Sequence, residues 1–360
     1  MTNLREVLDG AVVMAPMTKG GNLPYRRLCQ ELGADVTMSE MVVAHNLVKG
    51  SKSEYALIKR ASDERHFAVQ VAGSREDSLV EAVKVIEQRG ASWIDLNCGC
   101  PIESMTRKGL GSSLLQRPTK LGRLVAAMKA AVSIPVTVKI RLGYDDDALN
   151  YMTVARAAVE GGADAIGVHG RTRTQRYRKL ASWEAVGEVA AAVPVPVIGN
   201  GDILFPRDIV RGREIAKCAA VMIARGALIK PWIFREAKTG VDEDPTAEER
   251  LALYRRYVAI GLEHFGDDER GRKRLRGFLE WHLQWWCRHV PRRPDGTYPQ
   301  MQEREEHFSP RSDWEAFLWR NDPAAHQWLA TYLLDGEVAA GPQPPPPEAG
   351  GGERDEMPEG

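Results

Sequence analysis

The chain has 360 residues, 43% hydrophobic and 27% charged, with a formal net charge of zero; that length suits a large domain joined to a smaller one. No run of about 18 apolar residues is present, which excludes a transmembrane helix, and the polar start MTNLREVLDG lacks a signal peptide's apolar core, so a cytoplasmic location is expected. Five cysteines without a C-x-x-C pair exclude a disulfide framework.

Strand-like and helix-like segments alternate over the first two-thirds. Strands are expected at Val12–Met17, Asp35–Met41, Phe67–Ala72, Trp93–Asn97, Val136–Leu142, Ala165–His169, Pro196–Asn200 and Ala220–Ala224. Most are short β-branched runs without polar alternation, as buried parallel strands are. Amphipathic helices lie between them. One opens at Ser74, with Asp77 three residues on as an acidic capping box, and closes at Gly90. Others run from about Thr119 to Ala131 and from Ala148 to Glu160, the last stopped by Gly161-Gly162. Eight strands alternating with helices over roughly 230 residues predict a closed (β/α)8 TIM barrel, spanning residues 1–240. An open doubly wound sheet is the alternative. It normally carries G-x-G-x-x-G after its first strand, where this chain has APM.

Beyond Asp242 the strand signal ends. Pro245, Thr246 and Glu248–Glu249 read as a helix start, and helical patterns continue to Leu334. Six of the nine tryptophans fall between Trp281 and Trp328, so residues 245–334 are expected to form a smaller C-terminal helical domain with its own core. Residues 335–360 are rich in Pro, Gly and Glu and are expected to be disordered. They carry a net charge of −6, whereas Arg270–Arg293 carries +7. The basic stretch is either a polyanion-binding surface or a solvated helix face. Leu275, Phe278, Leu279, Leu283 and Trp286 recur at helical spacing and should face inward, leaving Arg272, Lys273 and Arg276 outward; Trp281 and Trp285 read as core.

A barrel of this type carries its chemistry at the C-terminal strand ends. There the chain offers Gln70; Asn97 and Cys100 of DLNCGCP; Lys139 and Arg141 on one side of their strand; His169 and Arg171 of VHGRTR; Asn200, Gly201 and Asp202 of GNGD; and Arg225 and Gly226 of ARGA. One such residue is ordinarily a satisfied core polar group. Six strand ends converging imply a polar ligand or an active site, because buried Lys, His, Asn and Gln are costly unless paired. The Gly-containing loops after the last two strands suit a phosphate grip. FMN fits it, with Lys139 and His169 near the reducible ring; a sugar phosphate would use the same grip. Cys100, in a loop with Gly109 and Gly111, is a candidate nucleophile or general acid under a lid. Cys98-Gly-Cys100 lacks further ligands at metal spacing, and no metal is expected.

In order, APMTKGGNLPYRRL, SEM, VQVAG, DLNCGCP, VKIRLG, HGRTRTQRY, GNGDI and ARGALIKPWIF resemble the signature segments of the dihydrouridine synthase family. YRKLASW, GLEHFG and FLEWHLQWWCRHVP are similar to its eukaryotic branch, which carries N-terminal zinc fingers that this sequence lacks. Bacterial members often have Lys where this chain has Ser104, so their site preferences do not transfer. The resemblance implies an FMN enzyme that reduces a uridine in tRNA with NADPH. It implies that Pro16, Met17, Gln70, Lys139, His169, Asn200, Gly201, Asp202, Arg225 and Gly226 surround FMN, that Asn97 and Arg171 hold the uracil, and that Cys100 supplies a proton. The base must be flipped from its RNA, and the basic helical part, through Arg272, Lys273 and Arg276, is the expected RNA-holding surface. No protein partner is implied. An FMN-dependent small-molecule reductase and a non-catalytic RNA-binding protein on the same barrel are the alternatives.

Overall fold

Nine short strands line up in parallel: Val12–Met14 (β1), Thr37–Met38 (β2), Val42–Val43 (β3), Phe67–Ala72 (β4), Trp93–Cys98 (β5), Val136–Arg141 (β6), Ala165–His169 (β7), Val197–Asn200 (β8) and Ala220–Ile223 (β9). The computed structural model describes residues 3–301, 308–341 and 346. Most strand residues are fully buried, the pattern of a sheet covered on both faces. β9 returns to β1 through Val12↔Val221 and Met14↔Ile223. A Val13↔Val36 bridge, with Met14 N donating to Val36 O at 2.9 Å, joins β1 to the next stave and closes the (β/α)8 barrel.

The expected strand Asp35–Met41 is interrupted. β2 pairs with β4 at Thr37↔Phe67 and Met38↔Ala68, and β3 pairs with the same edge at Val42↔Val71 and Val43↔Ala72. Between these pairs Ser39, Glu40 and Met41 oppose only Val69 and Gln70, which makes a β-bulge. Ser39 Oγ accepts the Gln70 N–H at 3.0 Å, replacing the lost ladder bond. Two helix starts also differ from expectation. Ser74 does not cap: the helix is Glu76–Gln88 with Arg75 at the cap position, and Asp77 is held by the Arg75 fork at 3.1 and 2.5 Å instead of reaching back. The helix expected from Ala148 begins at Tyr151, because a Gly143↔Leu149 bridge holds the preceding turn. A short helix, Leu4–Leu8, precedes β1.

The helical part opens where expected. Thr246 Oγ1 accepts the Glu249 N–H, and the Glu249 carboxylate accepts the Thr246 N–H, a reciprocal cap on the helix Ala247–Phe265. Glu269–Trp286, Asp313–Leu318 and Pro323–Asp335 follow. Gly261 lets the first two pass closely, since a Cβ there would lie 2.4 Å from Leu275 Cδ1. The tryptophan-rich core is not separate, as expected, but continuous with the barrel. Tyr25, on the barrel helix Leu23–Glu31, stacks on His282 at 4.1 Å, and Trp286 stacks on Tyr254 at 4.1 Å. Beyond Asp335 the chain makes one more helical turn, Glu337–Ala340. The rest of the segment expected to be disordered, apart from Gly336, Gly341 and Pro346, lies outside the described residues. Among the described residues no helix is long and apolar enough to cross a membrane.

Candidate active site

Strand register gathers the polar residues. Asn97 is opposite Lys139, Arg141 opposite His169, and His169 opposite Asn200. Lys139 of β6 reaches across β7 to β8, where Nζ donates to Asn200 Oδ1 at 3.0 Å. Gly167 of β7 lies beside that path, where even a Cβ would make only ordinary contact, 3.4 Å, with Lys139 Cγ. Asn200 Nδ2 is fixed in turn by Met222 O at 2.9 Å.

A second chain of bonds holds the cysteine loop. Asp95 accepts from Thr137 Oγ1 at 2.6 Å and from Gln70 Nε2 at 2.8 Å. Gln70 Oε1 accepts from Asn97 Nδ2 at 2.6 Å, and Asn97 Oδ1 accepts the N–H groups of Gly99 at 3.2 Å and Cys100 at 2.9 Å. Burial pushes the Asp95 carboxyl up. Gly111, at φ +60, packs against Cys100, whose Cβ would lie 2.9 Å from an added Cβ. The Cys100 thiol is half-buried, and burial pushes its pKa up against the opposing pull of Arg141 and Lys139. Cys98, one strand position past Asn97, is fully buried.

Arg171 and Asp202 tie the next two strand ends together. Arg171 Nη2 donates to both Asp202 oxygens, at 2.6 and 2.5 Å, and Nε donates to Lys179 O at 2.5 Å. Asp202, at φ +44, also accepts from Ala181 N at 2.8 Å and from Arg225 Nη2 at 3.2 Å. The loops after β8 and β9 demand their glycines: a Cβ on Gly226 would meet Ile203 O at 2.0 Å, and one on Gly201 would meet Ala181 Cβ at 2.3 Å. Pro16 and Met17 follow β1, half-buried and buried.

Two participants escaped the sequence-level site. Arg141 was noted only for its side of the strand; its Nε donates to Gly99 O at 2.8 Å and its Nη1 to Thr172 O at 2.9 Å, linking the cysteine loop to the loop after β7. Tyr177 of that loop lies under the Arg225 guanidinium, 4.3 Å from its ring centroid, and a loop tyrosine has no periodicity to reveal it.

The cations outnumber their carboxylates. Lys139, Arg141, Arg171 and Arg225 share the neighbourhood with Asp202 and Asp95. Burial, then Arg141, lowers Lys139 to about 8. Burial lowers Arg225 to about 10. Burial and the surrounding cations hold His169 well below its usual value. A buried excess of positive charge calls for an anionic ligand, and the donor set fits FMN: cations for a phosphate and for an anionic ring, with glycines allowing close backbone approach. A cleft of about 420 Å³ lies elsewhere, walled by Leu23, Arg27, Lys59, Asp63 and His264, and contains none of these residues.

The expected RNA-facing cations divide. Lys273 is exposed as expected. Arg272 and Arg276 are not free: Arg272 pairs with Asp267 at 2.6 Å and Asp335 at 2.9 Å, and Arg276 pairs with Asp335 and donates to Thr331 Oγ1 at 2.7 Å. The helix Pro323–Asp335 packs beside them, which a reading of one helix's periodicity does not register. Arg270 and Arg274 are the exposed neighbours. Leu275, Leu279, Leu283 and Trp286 face inward as expected, with Trp281 and Trp285 also buried.

Fold and strand ends together define a (β/α)8-barrel protein with a cationic site at its C-terminal rim. The chain belongs to the dihydrouridine synthase family, whose model, Dihydrouridine synthase (Dus), matches residues 13–307. It is 41% identical over 351 residues to a Coprinopsis cinerea protein named tRNA-dihydrouridine(47) synthase, covering 93% of this chain and 51% of that one. It is 39% identical over 336 residues to a rice protein (91% and 48%) and 38% identical over 342 residues to a human protein (94% and 51%), each named as a like form of the same synthase. All three names also carry NAD(P)(+). The chain spans about half the length of these curated relatives.

Proposed function

We propose that this chain reduces the carbon 5–carbon 6 double bond of a uridine in tRNA, using FMN held at the strand ends and NADPH as reductant. The uridine proposed is position 47, the position in the relatives' names. The observation that carries the reading is Cys100, a half-buried thiol latched by Asn97 and within electrostatic reach of Lys139 and Arg141.

Pro16, Met17, Gln70, Lys139, His169, Asn200, Gly201, Asp202, Arg225 and Gly226 would hold the FMN. When bound, it supplies the hydride that adds to carbon 6 of the uracil. Cys100 gives its proton to carbon 5. Because burial raises the thiol pKa, Cys100 keeps that proton at neutral pH, as a general acid must. Asn97 retains one N–H beyond its bond to Gln70 and offers it to the uracil. Arg171 is fully buried and held by Asp202, which argues against the uracil contact the resemblance implied and for a role in shaping the site. The exposed Arg270, Lys273 and Arg274 take RNA phosphates outside the pocket.

The test is to map dihydrouridine in tRNA from cells with and without the gene. Loss at position 47 alone is expected. An unchanged map, or purified protein that neither carries FMN nor takes it up, overturns the reading.

A further inference from the structure

We propose that Arg171 is a positioning residue whose guanidinium fixes His169 as the Nδ1–H tautomer, so that the ring presents a hydrogen-bond donor into the strand-end site.

Arg171 Nη1 lies 3.3 Å from His169 Nε2. A guanidinium has five donors and no acceptor. His169 Nε2 must therefore accept, and a neutral imidazole accepting at Nε2 carries its proton on Nδ1. The other tautomer would set two N–H groups against each other in a buried place, and a ring turned over would set a carbon against the guanidinium. A doubly protonated ring would add a cation beside Arg171, with Lys139, Arg141 and Arg225 close by; the depressed His169 pKa agrees that the ring is neutral.

Arg171 cannot withdraw from this contact. It is 0% exposed, with Nη2 on Asp202 and Nε on Lys179 O. One guanidinium thus sets the tautomer at the end of β7, grips the end of β8 through Asp202 and holds the segment that leads into Ser182. Among the described residues His169 Nδ1 has no protein partner, so its N–H is available to a ligand. Lys139 is a second donor on the same side, drawn to Asn200 in the protein alone. Two donors side by side select a ligand edge that carries acceptors, such as the carbonyl and ring nitrogen of a flavin's pyrimidine edge. In naming that ligand the inference rests on the proposed function; in naming the tautomer it does not.

The test is ring-nitrogen NMR on histidine-labelled full-length protein as purified, with His169→Gln used to assign His169 among the eight histidines. The expected spectrum has a protonated Nδ1 and an unprotonated Nε2. Arg171→Lys keeps a cation for Asp202 but not the planar fork. In that variant the proton should move toward Nε2, and FMN affinity should fall about tenfold, the loss of one well-made hydrogen bond. A wild-type spectrum with the proton on Nε2 overturns the proposal. So does a folded Arg171→Lys protein with the wild-type nitrogen pattern and wild-type FMN affinity. If Arg171→Lys does not fold, the wild-type spectrum still decides the tautomer. Protein that binds no FMN removes the proposed function, while the nitrogen pattern continues to decide this inference.

Discussion

Asn97 accepts the backbone N–H of Cys100 at 2.9 Å, so the penultimate residue of β5 also sets where the thiol stands. The bond links the position of the thiol to the barrel core, because Asn97 is itself fixed by Gln70 and Gln70 by Asp95. Cys100→Ala should keep FMN and NADPH oxidation while lowering dihydrouridine formation by about 10²–10⁴-fold, the usual contribution of a general acid. Asn97→Ala should lower it by up to about 10²-fold through misplacement of the thiol. Cys98→Ala should leave the rate nearly unchanged, since that thiol is fully buried. Single-turnover assays on tRNA check all three; equal losses in Cys98→Ala and Cys100→Ala would assign the pair a structural role.

Lys139 gives the site a pH dependence of known sign. Its pKa is lowered to about 8 from an ordinary 10.5, so the amine is charged below that pH and neutral above it. An anionic ligand favours the charged form. FMN affinity should therefore be full below pH 8 and decline as pH rises through it, by at most about tenfold per unit for one proton. Lys139→Gln should bind more weakly and without that decline. Flavin fluorescence titrations on either side of pH 8 make the measurement, and a slope that persists in the variant would assign the titration to another group.

The strand ends were legible because barrel topology turns position in sequence into position in space: Gln70, Asn97, Lys139, His169 and Asn200 could be named before any contact was known. Their partners were not. That Lys139 rests on Asn200 depends on its side chain crossing a whole intervening strand, and that Arg171 faces Asp202 depends on how two loops meet. The bulge at Ser39–Met41 was hidden because its residues are as strand-like as their neighbours. The helical part misled for a related reason. Clustered tryptophans signal a core but not whose core, and Tyr25 of the barrel belongs to it.

The same limit governs the proposed RNA surface. A helical wheel leaves Arg272, Lys273 and Arg276 outward, but Asp335 holds two of the three. Replacing Arg270, Lys273 and Arg274 together by Ala should weaken tRNA binding. It should also flatten the dependence of log affinity on log salt by up to about 2–3, as each phosphate contact contributes about 0.7–0.9 to that slope. Arg276→Ala should lower the melting temperature by on the order of 2 °C and leave the slope intact. Anisotropy titrations with labelled tRNA at several salt concentrations separate the two. If the triple variant keeps its salt slope, the phosphates are gripped elsewhere, with the exposed Arg176, Arg178 and Lys179 of the loop after β7 next in line.

His282 joins the helical part to the barrel, and its chemistry makes that junction acid-sensitive. Its Nε2 faces Asn22 Nδ2 at 3.1 Å, and the Asn22 amide is oriented by Tyr25 N and Tyr257 OH donating to Oδ1. Nε2 therefore accepts, and the ring is neutral. Burial lowers its pKa to about 3 from an ordinary 6.5. Because the folded value is the lower one, the unfolded chain takes up the proton first. The contribution is full above about pH 6.5 and is lost as pH falls from there toward 3. Between pH 7 and pH 5 a single such group costs about 2 kcal/mol of stability. His264, lowered to about 4, and the buried His169 and His289 add losses of the same sign that persist when His282 is replaced. His282→Gln should be less stable than the parent at pH 7, because the stack on Tyr25 is gone, yet should lose about 2 kcal/mol less between pH 7 and pH 5. Urea midpoints at the two pH values give the comparison. Equal acid losses in parent and variant would show that the junction contributes nothing to the acid response and that the other buried histidines carry it.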